Sequence, residues 1–234
     1  EYAFLTDRPV SVTPMPQSLP PLRRRKLAPQ RLTIGLVGHQ RLDKGYQLAP
    51  EFIPQVLHKH PQAQFLVHQS DATTLTEVTE RLRALAAGEP RLALKIEPAV
   101  GKDWFAVLDL CDIVALPYDP QRYAGSYSAI VGEALASGAP VVVPAATTMA
   151  TELQTAGGPG VIIDAWNATS IAAAIGAAIG DFANLSERAH SAGQAWHERH
   201  GPERFIAYVL EAAEQLGLAQ LPWWSPRRLL RSRR

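Results

Sequence analysis

The chain has 234 residues, 47% of them hydrophobic, and a formal charge of +1. That balance excludes a disordered chain and describes a soluble globular protein, one large domain or a domain with appendages. A single cysteine, Cys111, excludes an internal disulfide and fits a reducing compartment, and no apolar run nears the ~20 residues of a membrane span.

Residues 1–30 hold six prolines and the basic cluster Arg23-Arg-Arg-Lys26. Proline at this density prevents long helices and central strands. The segment reads as extended, with one short strand at Val10–Thr13, and the cluster as a solvated charge run. Because residue 1 is Glu rather than Met, we read the stretch as a linker from a further N-terminal domain.

Order begins at Leu32–Val37, a buried-strand pattern closed by Gly38. The loop His39–Gly45 follows, then a helix to about His60 whose start Pro50 and Pro54 delay. Gln64–His68 predicts a strand, 74–87 a helix with Leu75, Val78, Leu82 and Leu85 on one face, and Leu92–Ile96 a third strand. Asp103–Leu110 predicts a short helix leading into a strand at Asp112–Leu116.

The stretch Tyr118–Pro144 organises the rest: a loop rich in Gly, Ser and Tyr, a short helix, Gly138-Ala-Pro140, then another β-branched run. Thr148–Gln154, Ala168–Ile179, Ser186–His200 and Glu203–Leu216 predict helices, with a strand at Gly160–Ile163. This alternation predicts an α/β fold, a Rossmann-like parallel sheet of about six strands with helices on both faces and C-terminal helices. The expected organisation is a linker over 1–30, the sheet domain over 31–216 and a basic tail over 217–234.

Open α/β sheets bind ligands at the carboxyl ends of their strands, so two loops attract attention. Tyr123–Ser128 opens a helix whose free amides suit an anion; Gly125 permits close approach, and Ser126 and Ser128 offer caps or hydroxyls. An ordinary Ser-capped helix is the alternative. On that helix Tyr127, Ile130, Val131, Ala134 and Leu135 share an apolar arc, while Glu133 lies among Ala129, Gly132 and Ala136. A carboxylate so placed suits vicinal sugar hydroxyls, the alternative being a surface glutamate. The other loop carries Arg41 and Lys44, cations that suit a diphosphate. His39 and His68 end strands at this edge, as lining or as structural residues. No His, Cys, Asp or Glu spacing has a metal-site pattern.

Three blocks together, Gly38-His-Gln-Arg-Leu-Asp-Lys-Gly45, Cys111–Pro117 and Gly132–Val142, resemble the C-terminal, donor-binding domain of a GT-B-fold glycosyltransferase. The similar group is the retaining, nucleotide-sugar-dependent one, glycosyl transferases group 1, over roughly residues 32–165. The resemblance implies a UDP- or GDP-linked sugar as substrate, with no other cofactor and no metal. It places Lys44 on the donor diphosphate, with Arg41 as its catalytic companion, and Glu133 on the ribose. It also gives the Ser126-Tyr127-Ser128 turn to the phosphates and the peptide around Glu97, Pro98 and Ala99 to the base. Gly38, His39, Gly125 and Arg122 complete the expected donor site.

Two positions depart from the family pattern. Gly125 stands where a sugar-contacting Glu is usual, and His39 and Gly38 stand where a phosphate-binding Arg is usual. Arg41 is the substitute, with Arg122 a second candidate. The resemblance further implies an N-terminal GT-B domain that would hold an acceptor, here unknown, in cell-envelope or polysaccharide glycosylation. The alternative is an inactive GT-B-like domain serving protein or membrane contact.

The near-neutral charge hides an asymmetry. Residues 217–234 hold five Arg and no acid, leaving 18 basic against 22 acidic residues, or −4, elsewhere. Trp223 and Trp224 beside these arginines suit an anionic membrane surface, so residues 221–234 are expected to allow peripheral contact at the cytoplasmic face. A disordered tail, or one packed on the further domain, is the alternative. No basic face accompanies the tail, so no nucleic-acid partner is expected.

Overall fold

The computed structural model describes residues 15–17, 19–25, 30–71, 73 and 75–215. They fall into two compact units, one within Leu19–Trp196 and the other made of residues 15–17 with 197–215. The first unit is built on six strands: β1 Leu32–Leu36, β2 Ala63–Gln69, β3 Leu92–Ile96, β4 Ile113–Ala115, β5 Val141–Pro144 and β6 Gly160–Ile163. Every pair is parallel, in the order β3-β2-β1-β4-β5-β6. The expected sheet is present.

Successive side chains along a strand point to opposite faces, and the burial follows that period. Ile34 and Leu36 of β1, Phe65 and Val67 of β2, Ile113 of β4 and Val142 of β5 enter one core. It is closed by Phe52, Ile53 and Val56 of α1 (Ala49–Lys59) and Ile171 and Ile175 of α7 (Ala168–Gly180). Leu66, Val114, Val141 and Val143 enter the opposite core. There they meet Val107 of α3 (Lys102–Asp109), Val131 and Leu135 of α5 (Ala129–Ala136) and Leu153 of α6 (Thr148–Thr155). The remaining helices are α2 (Thr76–Gly88), α4 (Pro120–Tyr123), α8 (Phe182–His200) and α9 (Pro202–Gln215).

Pro50 falls in the first turn of α1, where its missing N–H is no loss, so the helix starts at Ala49 after two single 3-10 turns. The unexpected α4 has a local cause: Asp119 caps it by accepting from the Gln121 amide at 2.9 Å, and Pro120 presets its first turn. α8 begins four residues ahead of its expected start at Ser186, because Phe182 and Leu185 are buried.

Arg25 departs from the solvated run expected of the basic cluster, while Arg23 and Arg24 keep to it. Arg25 is buried, its guanidinium donating to Ser137 Oγ at 3.3 Å and to the Asp109 carbonyl at 3.5 Å. Arg23 pairs with Asp109, and its amide donates to the Ser137 carbonyl at 3.2 Å. These groups gather at the carboxyl end of α5, where unpaired carbonyls favour cations. Arg23 and Arg24, the latter paired with Glu187 at 3.4 Å, stay exposed. Lys26, the strand expected at Val10–Thr13 and the tail over 221–234 lie outside the described residues.

In the second unit the Gln17 amide donates to the His200 carbonyl at 3.3 Å. Arg204 lies 4.3 Å from the Tyr208 ring centroid and pairs with Glu211 at 3.4 Å. Among the described residues no single helix is long and apolar enough to cross a membrane.

Candidate functional site

Strand order reverses between β1 and β4, and at such a switch point the connections diverge and leave a crevice at the carboxyl edge. β1 runs out into Gly38, at φ 106°, where a Cβ would meet Ile130 Cδ1 at 2.5 Å and approach Lys44 Nζ to 4.0 Å. The bare glycine therefore lets α5 close in and leaves the ammonium group above the backbone.

The loop that carries Lys44 is stitched to the loop after β4. The Asp119 amide donates to the Asp43 carbonyl at 2.9 Å. Gly45, at φ 73°, lies so near that a Cβ would fall on the Pro117 carbonyl oxygen. That same oxygen accepts the Trp166 indole N–H at 2.8 Å. Lys44 Nζ ends 5.2 Å from the Tyr118 ring centroid, and Tyr118 packs on Tyr123 at 4.5 Å. Burial, with Arg41 nearby, lowers the Lys44 pKa. No salt bridge to Lys44 is formed among the described residues. An arriving anion would relieve both effects.

Beside Gly38 opens a cleft of about 400 Å³. Its walls come from the ends of three strands and from two helices: Gly38 and His39 after β1, His68 and Ser70 at β2, Ala99 and Val100 after β3, Trp104 of α3, and Ile130 and Glu133 of α5. Glu133 is half-buried and accepts the Trp104 indole N–H on Oε2 at 2.9 Å. Burial raises its pKa, and the indole bond opposes that rise.

His68 fixes the floor. The Gly38 amide donates to Nδ1 at 3.4 Å, so Nε2 carries the proton and donates to the Glu97 carbonyl at 2.9 Å. Burial lowers the His68 pKa and keeps the ring neutral. The Trp104 ring packs against it at 5.8 Å. His39 pairs with Ser70 at 2.8 Å across the rim.

Of the residues singled out in the sequence, Gly38, His39, His68, Ala99 and Glu133 line this cleft, and Lys44 reaches its edge over Gly38. Tyr127 is half-buried, and burial, with Glu152 and Glu133 nearby, pushes its phenol up to about 12. Ser128 is buried at the N-cap of α5 but makes no side-chain cap bond. Ser126 is exposed, its hydroxyl donating to the Arg122 carbonyl at 3.2 Å and its carbonyl accepting from the Thr148 hydroxyl.

The others stand apart from the cleft walls. Pro98 is exposed, although the Glu97 carbonyl before it is held by His68. Arg122 is exposed on α4. Arg41 is gripped by Asp43 through bonds of 3.0 and 2.7 Å and by the Tyr123 hydroxyl at 3.2 Å. Gly125 is exposed, and no atom lies within 4 Å of where its Cβ would be, so nothing there requires a glycine.

Trp104, Ile130 and Ser70 were not foreseen as lining. Ile130 was assigned to the core arc, yet it is only half-buried beside Gly38. A tryptophan in the first turn of a helix that starts at the ligand edge was the available signal for Trp104. Among the described residues no three His, Cys, Asp or Glu side chains gather as a metal site.

The family model described as glycosyl transferases group 1 matches residues 31–181. No curated protein sequence matches. Among solved structures, HepE from Anabaena, crystallised with UDP and glucose, is 20% identical with a TM-score of 0.60, over 81% of this chain and 49% of its own. The C-terminal domain of LpcC from Francisella tularensis, a glycosyl transferase group 1 family protein, is 18% identical with a TM-score of 0.60, over 77% of this chain and 93% of its own. Sucrose-phosphate synthase from Thermosynechococcus elongatus is 19% identical with a TM-score of 0.57, over 82% of this chain and 46% of its own. The chain thus spans about half the length of HepE and of the synthase.

Proposed function

The chain belongs to the glycosyl transferases group 1 family, and from that premise we propose that its cleft binds the nucleoside diphosphate part of a sugar donor. One observation carries this reading. At the same sheet edge a half-buried cation that forms no ion pair among the described residues, Lys44, and a half-buried carboxylate, Glu133, flank the bare backbone of Gly38. A ligand that is dianionic at one end and a vicinal diol at the other satisfies both.

In this reading Lys44 and the amides opening α5 take the diphosphate, and Glu133 accepts from the ribose hydroxyls. The Glu97–Ala99 peptide, held by His68, borders the base. During transfer the bond between the anomeric carbon and the diphosphate oxygen breaks. The leaving oxygen gains charge while the sugar gains oxocarbenium character. Lys44 would stabilise that leaving charge from a fixed position, an electrostatic contribution that needs no rearrangement. Arg41 joins only by exchanging Asp43 for the ligand.

UDP is the first probe, because HepE, which shares the fold, was solved with it. UDP or GDP should raise the melting temperature of the chain, and Glu133→Ala should abolish the shift. No shift with any nucleoside diphosphate at millimolar concentration would sink the reading. The acceptor side belongs to a partner GT-B domain, so sugar transfer by this chain alone should be slow or absent. A role in cell-envelope or polysaccharide synthesis, at the cytoplasmic face with residues 221–234 on the membrane, extends the proposal; liposome sedimentation with and without the tail tests it.

Gly125 favours a second reading, nucleotide binding without transfer, because no carboxylate stands at the position where the family places its sugar contact. Turnover by the full-length protein with any of a broad donor panel would remove that reading.

A further inference from the structure

Glu133 cannot orient itself. Its neighbours on α5, Ala129, Gly132 and Ala136, have no polar side chain, and a half-buried glutamate has three torsions to fix before it can meet a diol. A single described side chain is seen to hold it: the Trp104 indole N–H reaches Oε2 at 2.9 Å from the first turn of α3. A carboxylate oxygen offers two acceptor directions. The indole uses one of those on Oε2, and among the described residues no side chain is seen to occupy Oε1 of this cleft-lining carboxylate. Trp104 is itself held, its ring packed at 5.8 Å against His68, which is pinned between the Gly38 amide and the Glu97 carbonyl. The chain of contacts Gly38–His68–Trp104–Glu133 therefore joins the ends of β1 and β2 to α5 through a rigid aromatic pair.

We infer that Trp104 is a positioning residue that aims Glu133 at a vicinal diol and so sets a preference for ribonucleotides over nucleotides lacking those hydroxyls. The inference rests on the nucleotide reading above. Trp104 forms cleft wall as well, so its role through Glu133 must be separated from simple packing. Ligand chemistry makes that separation: a contribution through Glu133 is felt only by ligands that present hydroxyls to it.

The experiment is calorimetric titration of the whole chain with UDP and with 2′,3′-dideoxy-UDP, for the native protein and two variants. Trp104→Phe keeps an aromatic wall without the donor. Benzothienylalanine incorporated in place of Trp104 keeps the bicyclic shape and replaces only the N–H, which guards against a folding failure of the first variant. Both should lose roughly tenfold in UDP affinity, the worth of one hydrogen bond to a charged group, and bind dideoxy-UDP as the native chain does. Equal losses for the two ligands would reduce Trp104 to a packing residue and overturn the inference. Unchanged UDP affinity in the benzothienylalanine chain would overturn it too, while the nucleotide reading stands on native binding and its loss in Glu133→Ala. If the native chain binds neither UDP nor GDP, the nucleotide reading falls and the positioning role with it.

Discussion

Two cations, one at each edge of the sheet, meet the same physics with different outcomes. Arg25, at the amino edge, is buried, and burial lowers its pKa against the pull of Asp112, Cys111 and Asp109. Its guanidinium donates to Ser137 Oγ and the Asp109 carbonyl. Lys44, at the carboxyl edge, is half-buried with a lowered pKa as well; it lies over an aromatic ring, and burial with Arg41 outweighs the pull of Asp43, which is itself bound to Arg41. Desolvating a charge is costly unless a partner compensates. At Arg25 the fold supplies two acceptors to the guanidinium; at Lys44 no ion pair is formed among the described residues, and the proposed diphosphate would fill that role. The contrast separates a cation engaged by the fold from one open to the proposed diphosphate more sharply than exposure does.

Substitutions at the two cations should therefore split cleanly. Arg25→Ala removes the bonds to Ser137 Oγ and the Asp109 carbonyl and leaves both acceptors buried, and should cost about 3 kcal/mol in a denaturant melt, with UDP affinity per folded molecule unchanged. Lys44→Ala should do the reverse, weakening UDP roughly thirtyfold, or about 2 kcal/mol for a lost charged hydrogen bond, with the denaturation midpoint held or raised. Loss of stability in the second variant and not the first would invert the comparison.

Acid sharpens it further. Burial holds the Glu133 pKa above 4.5. A raised carboxyl pKa gives stability that is present at low pH and lost as pH rises through the folded value. Ligand binding runs the other way, because ribose needs the carboxylate. As pH falls through that raised value, UDP affinity should fall, approaching about tenfold per unit once well below it. Glu133→Gln, titrated alongside, should show only the pH dependence of the UDP phosphates; an identical profile in both proteins would remove Glu133 from the site. The smallest effect belongs to Gly125→Ala, which meets open space and should shift stability by no more than about 0.5 kcal/mol. A larger loss would mean that the loop needs its glycine after all.

The sequence alone reached far into the fold. Short apolar runs such as Leu32–Leu36 and Val141–Pro144 are the pattern of strands buried on both faces, and they appear as β1 and β5. The Asp-Pro start of α4 was equally local and was passed over. That Gly38, Lys44 and Glu133 collect at one edge was legible from their places after strands, the first two in the connection after β1 and the third on α5. Arg25 was not legible, because a run of four basic residues has no pattern that says which of them is buried. Arg41 and Trp104 failed for a related reason. Whether Arg41 faces Asp43 or a ligand, and whether Trp104 fills a core or grips a carboxylate, depends on torsions and on partners 2 and 29 residues away.

What the sequence by itself determined is what short-range periodicity and chain direction can encode: six parallel strands, their helices, and the edge at which loops collect. Only the tertiary structure decided how the charges are settled. Partner choice depends on distances of a few ångströms between segments far apart in the chain, and local pattern carries no record of those distances. That is why Arg25 and Lys44, alike as sequence features, ended in different surroundings, one among hydrogen-bond acceptors and one beside an aromatic ring.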